Sequence, residues 1–522
     1  MNGGKMSNKY EFIAPCHFGL EAVCKREIAD LGYEIVKVED GKVTFAGDMD
    51  ALVRANIFLR TTQRILLKVA EFKAVTFEEL FQNVKKVPWE EYFPSDARFW
   101  VTKATSVKSK LFSPSDIQSI VKKAMVERMK EHYHINWFEE DGADYPVRVI
   151  IYKDIVTIGL DTSGESLHKR GYRRMVSKAP IEETLAAALI KLTPWNKSRI
   201  LVDPFCGSGT FPIEAAMMGA NIAPGMHREF QAQNWDNIVS PKLFARGFEE
   251  AESLVDTSVE MDIQGYDIDP QIVKAARENA KRAGVDGLIH FQQRPVHHLS
   301  HPKKYGFVIT NPPYGERISS KDLLGLYEMI GSQLKHVFKG YDAWIISYHD
   351  ECFNKIGLKP AICINMMNGS LECEYRKYEI FEGKYNDFKR ETGGFKEKKK
   401  DSESTEFKKR EYRFKERNNE KAEKRLPYRD KEPFTKTETR FRKKKDDFEK
   451  QPENKRERKD SSIPEWHGEE AVKKFVTFRQ PSIGRTPSED NRPGWKKLRD
   501  KNLARKEKEQ MKKSRKRNYP DK

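Results

Sequence analysis

The stretch LVDPFCGSGTFPIEAA, residues 201–216, decides the fold. An apolar run ends at Val202, a turn carries Gly207 and Gly209, and helix-compatible sequence follows. A strand that enters a helix through such a turn is the building unit of a parallel sheet. The glycines let the backbone approach a ligand that lies against the helix N-terminus. Nucleotide-like cofactors bind at turns of this kind. No Lys-Ser/Thr pair follows, so the spacing is not that of a phosphate-binding Walker loop. A Gly-x-Gly turn taken alone equally fits a merely tightened connection, and its meaning depends on its surroundings.

Working outward, strands alternate with helices from about residue 181. The expected strands are 199–202, 264–266, 289–292, 307–310, 343–347 and a final pair around 362–365 and 377–381. Each of the first four is followed by a turn and helix-compatible sequence, which predicts a doubly wound α/β domain. The chain upstream is of another kind. Leu20, Val23, Cys24, Ile28 and Leu31 recur at helical spacing over 19–30, and strand-like segments follow at 33–39 and 41–46. Helices are expected at 48–56, 76–85 and 113–130, and strands at 63–72 and 99–104. A hairpin is expected over 147–152 and 155–161, with Lys153 and Asp154 at its turn. This mixture is α+β.

The chain has 522 residues, a net charge of +17 and a pI of about 9.3. Residues 1–390 hold 52 basic and 52 acidic residues, and the remainder holds 44 and 27. The whole excess therefore belongs to the last part of the chain. From residue 391 the sequence is Lys, Arg, Glu, Asp and Ser with isolated aromatics (Phe395, Phe407, Tyr412, Phe414, Phe434, Phe441, Phe448). Such composition cannot offset its ordering entropy by apolar burial, so a disordered basic tail is expected, with local helix at most over 471–478. The expected division is 1–60, 61–165, 166–388 and 389–522. No signal-like or membrane-spanning apolar run occurs, and the expectation is a soluble, cytoplasmic protein. Six cysteines without Cys-x-x-Cys or Cys/His ligand spacing predict a reduced compartment and no bound metal.

Two further motifs share the second domain. In QGYDIDP, residues 264–270, Asp267 falls at a strand end, where a carboxylate can accept hydrogen bonds from both ribose hydroxyls. Asp269 precedes Pro270 and a helix, and reads as its N-cap. In FVITNPPYGER, residues 307–317, Pro312 and Pro313 stop the strand and stiffen the loop. The Asn311 side-chain carbonyl and the Pro312 backbone carbonyl could together accept both hydrogens of an exocyclic amine, and Tyr314 could stack on the base. Standing alone, the motif would be a rigid turn without chemistry.

These three motifs, in this order and each at a strand end, resemble those of class I S-adenosylmethionine-dependent amino-methyltransferases. With the α+β region in front, residues 8–385 are most similar to bacterial THUMP-containing enzymes that methylate guanine N2 in large-subunit ribosomal RNA. The resemblance implies a ferredoxin-like segment, a THUMP domain that binds structured RNA, and a Rossmann-like methyltransferase domain. It further implies that Asp203, Pro204, Phe205, Cys206, Gly207 and Gly209 wrap the methionine part of S-adenosylmethionine, with Thr210 also binding the cofactor. Asp267 would hold the ribose, and Asn311, Pro312, Pro313 and Tyr314 would form the catalytic loop around the target base. One departure is visible: the acidic residue that usually contacts the cofactor adenine after the third strand is missing from QQRPV, residues 292–296. Gln293 or the backbone is left for that contact.

Local basic stripes suit an RNA partner, 23S ribosomal RNA or a pre-ribosomal particle. Between residues 101 and 130 seven basic residues face two acidic ones, among them Lys103, Lys108, Lys110, Lys122 and Lys123. A second run holds Lys169, Arg170, Arg173 and Arg174. Both suit phosphate contacts, against the plainer reading of solvated faces. The expected activity is RNA guanine-N2 methylation. The alternatives are a transfer RNA guanine, an adenine or cytosine amine, or a non-catalytic RNA-binding assembly factor.

Overall fold

A computed structural model of the chain describes residues 9–173, 180–256, 258–300, 303, 305–313 and 320–381. The expected tail, its helix at 471–478, and the site residues Tyr314 and Arg174 lie outside the described residues.

The N-terminal part runs β1 (Tyr10–Pro15), α1 (Glu21–Asp30), β2 (Glu34–Glu39), β3 (Lys42–Gly47), α2 (Met49–Phe58), β4 (Leu66–Lys73) and α3 (Phe77–Lys85). It continues with β5 (Arg98–Val107), α4 (Pro114–Tyr133), β6 (Asp144–Tyr152) and β7 (Ile155–Asp161). All seven strands form one sheet in the order β2-β3-β1-β4-β7-β6-β5. β4 joins its two halves, pairing with β1 through Leu66 and Leu67 and with β7 along its length. The β6–β7 turn places Lys153 at φ 51° and Asp154 at φ 63°, the backbone that a two-residue hairpin of matching twist requires. Helix α4 starts on Pro114 and buries Ile117, Val121, Ala124, Met125 and Met129 against the sheet.

The second part runs α5 (Glu183–Leu192), β8 (Leu201–Asp203), α6 (Thr210–Gly219), α7 (Pro241–Ser253), β9 (Ile263–Asp267), α8 (Pro270–Ala283) and β10 (Ile289–Gln293). Then come β11 (Phe307–Thr310), α9 (Ser320–His336), β12 (Asp342–Ser347), α10 (Asp350–Ile356), β13 (Ile362–Asn368) and β14 (Leu371–Glu379). Its sheet has the order β10-β9-β8-β11-β12-β14-β13, parallel through β12, with β14 antiparallel to both of its neighbours. Strand order reverses between β8 and β11. In open α/β sheets that switch point is where a crevice opens beyond the strand ends.

Two expectations fail. No α-helix follows β10 among the described residues; Pro295 leads instead into a single 3-10 turn, Val296–His298. The last strand begins earlier than residue 377, at Leu371.

The segment between α6 and β9 fastens the two parts together. Trp235 is fully buried, stacks on Tyr145 at 5.0 Å, and donates its indole N–H to the Asp144 carbonyl at 2.7 Å. Arg54 on α2 forms a bidentate pair with Glu250 on α7 at 2.9–3.2 Å. Arg228 donates to the carbonyls of Ser163, Glu165, Ser166 and Lys169, and its burial pulls the guanidinium pKa down to about 10.

Candidate active site

The crevice beyond β8 and β11 collects the sequence motifs. β8 ends on Asp203, which is 1% exposed. One of its oxygens accepts from the Thr310 hydroxyl at 2.7 Å and from the Phe205 amide at 3.1 Å. Thr310 is the last residue of β11, so this hydrogen bond spans the switch point and sets the 203–209 turn beside Asn311. Burial pushes the Asp203 carboxyl up to about 7, against the two hydrogen bonds that favour its charged form.

The turn closes by Gly209 N–H to the Cys206 carbonyl at 2.8 Å, and Cys206 N–H bonds the Tyr266 carbonyl of β9 at 2.8 Å. Gly209, at φ 89°, precedes α6, and a Cβ there would stand 3.0 Å from the Phe291 ring and 3.2 Å from Ala276. Side-chain-free backbone is thus required at this position. Pro204 and Cys206 are buried and Phe205 is half-buried. Burial holds the Cys206 thiol well above its ordinary pKa, which makes it a packing residue rather than a nucleophile.

Asp267 ends β9, and its two oxygens accept from Gly207 N–H at 3.0 Å and Asp269 N–H at 3.0 Å. Each carboxylate oxygen keeps a further lone pair for a ligand hydroxyl. Burial raises its pKa. Asp269 accepts from Gln271 N–H at 2.8 Å as the N-cap of α8, as its position before Pro270 predicts. Asn311 is half-buried, Pro312 buried and Pro313 exposed. The Gln293 amide donates to the Ile268 carbonyl at 3.1 Å, beside the turn.

Two carboxylates and the amides of one turn make this a site for a cationic, hydroxyl-bearing ligand rather than a phosphate. The buried Ser208 hydroxyl, within the turn, has no hydrogen-bond partner among the described residues. An S-adenosyl ligand, with a positive sulfonium and ribose hydroxyls, fits that donor and acceptor set.

Comparison with known proteins agrees. Residues 11–66 match the RlmL ferredoxin-like domain, 74–161 the THUMP domain, and 170–377 the RMKL-like methyltransferase domain. The chain is 42% identical over 375 residues to the Bacillus subtilis protein named "Putative RNA methyltransferase YpsC", covering 71% of this chain and 96% of that one. The chain belongs to the THUMP-containing, RlmL-like RNA methyltransferase family. A second relative, the ribosomal RNA large subunit methyltransferase K/L of Vibrio cholerae, is 34% identical; the match covers 71% of this chain and 53% of that protein. The crystal structure described as "SMU.472, a putative methyltransferase complexed with SAH" superposes with a TM-score of 0.68 at 37% identity, over 73% of this chain and all of that one.

The basic residues of this methyltransferase divide into two groups. Lys103, Lys108, Lys110 and Lys123 are exposed, the first three on the sheet-edge strand β5 and the loop after it. Lys122 is engaged by the Phe99 carbonyl, Glu140 and the Phe99 ring, with Nζ 3.9 Å from the ring centroid. Lys169 is exposed and pairs with Glu165 at 3.0 Å. Arg170 corrects the expectation of a phosphate contact. It is 1% exposed, donating to the carbonyls of Leu167 at 2.7 Å and Arg60 at 2.5 Å and pairing with Glu214 at 3.4 Å. A buried guanidinium saturated in this way cannot reach a phosphate. Arg173 is likewise turned inward, onto Thr210 and Glu183.

Sequence reasoning missed Thr310, Asn279 and Arg282. Thr310 stood in plain sight before Asn311, but its role depends on β8 and β11 being neighbours. Asn279 donates to the Ser208 carbonyl at 3.0 Å from inside α8, a position that spacing alone marks as core.

Proposed function

We propose that this methyltransferase transfers a methyl group from S-adenosylmethionine to the exocyclic N2 amine of a guanine in 23S ribosomal RNA, in the cytoplasm. The observation that carries the reading is the 2.7 Å hydrogen bond from Thr310 to Asp203, which holds the glycine turn and the Asn311–Pro312 loop side by side. S-adenosylmethionine is the methyl source, and when bound it supplies an already activated methyl. The turn from Asp203 through Gly207 and Gly209 to Thr210, with Pro204, Phe205 and Cys206, would hold its methionine part, and Asp267 its ribose. What remains for the chain is placement. Asn311 and the Pro312 carbonyl would accept the two amine hydrogens, turn the nitrogen lone pair out of conjugation with the ring, and hold it in line with the methyl. Pro313 keeps the loop stiff, and Tyr314 would stack on the base. No general base is required before transfer. A paired guanine hides its amine, so the target would be unstacked first. Lys103, Lys108, Lys110 and Lys123 would contact phosphates, each contributing a salt-sensitive share of affinity.

The test is methyl transfer by the full chain to ribosomal and transfer RNA with labelled S-adenosylmethionine, for the wild type and Asn311→Ala. Loss of about a hundredfold in rate with RNA binding retained is expected. Undiminished transfer by Asn311→Ala would remove the assignment, and transfer RNA as the better acceptor would redirect the substrate.

A further inference from the structure

Arg170 and Arg173, the inward-turned members of the basic run after the THUMP domain, have a different task. We propose that Arg173 is a positioning residue for the cofactor turn, clamping the first residue of α6 to the first residue of α5. Its Nη2 donates to the Thr210 hydroxyl at 2.7 Å and to the Ile181 carbonyl at 3.1 Å, while Nε lies 3.0 Å from a Glu183 carboxylate oxygen. The Arg173 side chain is 11% exposed and that of Glu183 4%. A pair so deeply withdrawn from water is held in one geometry, because the Arg173 guanidinium without its carboxylate would be an uncompensated buried charge.

The neighbouring residues follow the same path. The Tyr172 carbonyl accepts from Arg282 Nε at 2.7 Å, Arg282 donates to Asn279 Oδ1 at 2.6 Å, and Asn279 donates to the Ser208 carbonyl at 3.0 Å. Two hydrogen-bonded routes thus run from residues 172 and 173 to positions 208 and 210 of the turn. Tyr172 also donates its hydroxyl to Glu214 on α6 at 3.1 Å. Between Arg170 and Tyr172, Gly171 sits at φ +95°, where a Cβ would come within 2.6 Å of the His227 carbonyl. The segment is therefore a fitted strap under α6, and it is also the chain that leaves the RNA-binding part. Arg173 touches neither cofactor nor RNA in this account. It fixes where Thr210 and the turn amides stand, and the inference rests on the reading that this turn holds the cofactor.

Calorimetry with S-adenosylhomocysteine on the full chain tests it, using the wild type, Arg173→Ala, Arg173→Lys, Thr210→Val and the double variant Arg173→Ala/Thr210→Val. Arg173→Ala should weaken binding about tenfold, the scale of a charge-assisted hydrogen bond. It should raise KM for S-adenosylmethionine with kcat largely kept, and leave affinity for an RNA transcript unchanged. Arg173→Lys should recover part of the loss. The double variant should bind no worse than Arg173→Ala, since both changes break one contact. Thr210→Val keeps the Arg173–Glu183 pair and removes the acceptor together with whatever Thr210 itself offers the cofactor, so its loss of binding counts only through the double variant, whereas unchanged binding by Thr210→Val would overturn the proposal even where Arg173→Ala fails to fold. So would Arg173→Ala that loses RNA affinity while binding S-adenosylhomocysteine normally, or strictly additive losses. A wild type that does not bind S-adenosylhomocysteine would instead overturn the cofactor reading itself.

Discussion

Asp203 is almost wholly removed from water, and its carboxyl is pushed up to about 7 by that burial. Glu183 is likewise raised to about 7, burial outweighing the nearby Arg173. Both folded-state values lie above those of an unfolded chain. The stability associated with their neutral forms is therefore complete below about pH 4 and is lost as pH rises toward 7. A cationic ligand reverses the preference at Asp203 by favouring the carboxylate. S-adenosylmethionine affinity should accordingly fall as pH drops below about 7, approaching tenfold per pH unit where one proton must be released on binding. Asp203→Asn should flatten that profile, and calorimetry between about pH 5.5 and 8 reads both. A profile equally steep in Asp203→Asn would assign the dependence to another group.

At the scale of elements, the insertion between α6 and β9 holds the two parts of the chain together through Trp235 and Arg228. Trp235→Ala removes a fully buried indole, its stacking on Tyr145 and its hydrogen bond to the Asp144 carbonyl. It should destabilise the protein by about 3–5 kcal/mol in urea unfolding; a loss under about 1 kcal/mol would mean that this contact does not fasten the parts. Elements with a clear period were legible in sequence. β11 was placed at both ends, and α4 to within three residues at each end. β1 was not, because Phe12, Ile13 and Ala14 are all buried in the middle of the sheet and show no alternation. The missing helix after β10 had a signal in Pro295, outweighed by the expected βαβ rhythm. At the site, the motifs marked the strand ends correctly, whereas Arg170 and Arg173 read as surface charge. Lys or Arg in a polar linker looks the same whether it faces water or a buried carboxylate, and only the tertiary fold distinguishes the two.

For the whole molecule, residues 1–390 are balanced in charge and the excess of 17 belongs to residues 391–522. We propose that this segment adds sequence-tolerant RNA affinity from a tether. Deleting it should weaken RNA binding most at low salt and flatten the dependence of affinity on salt, with S-adenosylhomocysteine binding unchanged. A collapse of cofactor binding on deletion would show that the segment supports the fold. Both halves of the N-terminal part share one sheet through β4, and Trp235 and Arg228 fasten that part to the one that carries the crevice beyond β8. The proposed target of that assembly is a guanine N2 amine of 23S ribosomal RNA. Mass-spectrometric mapping of modified nucleotides in ribosomal and transfer RNA, from cells with and without the protein, tests it most directly. One N2-methylguanine should disappear from 23S ribosomal RNA when the protein is absent; an unchanged 23S pattern, with or without a loss in transfer RNA, would contradict that target.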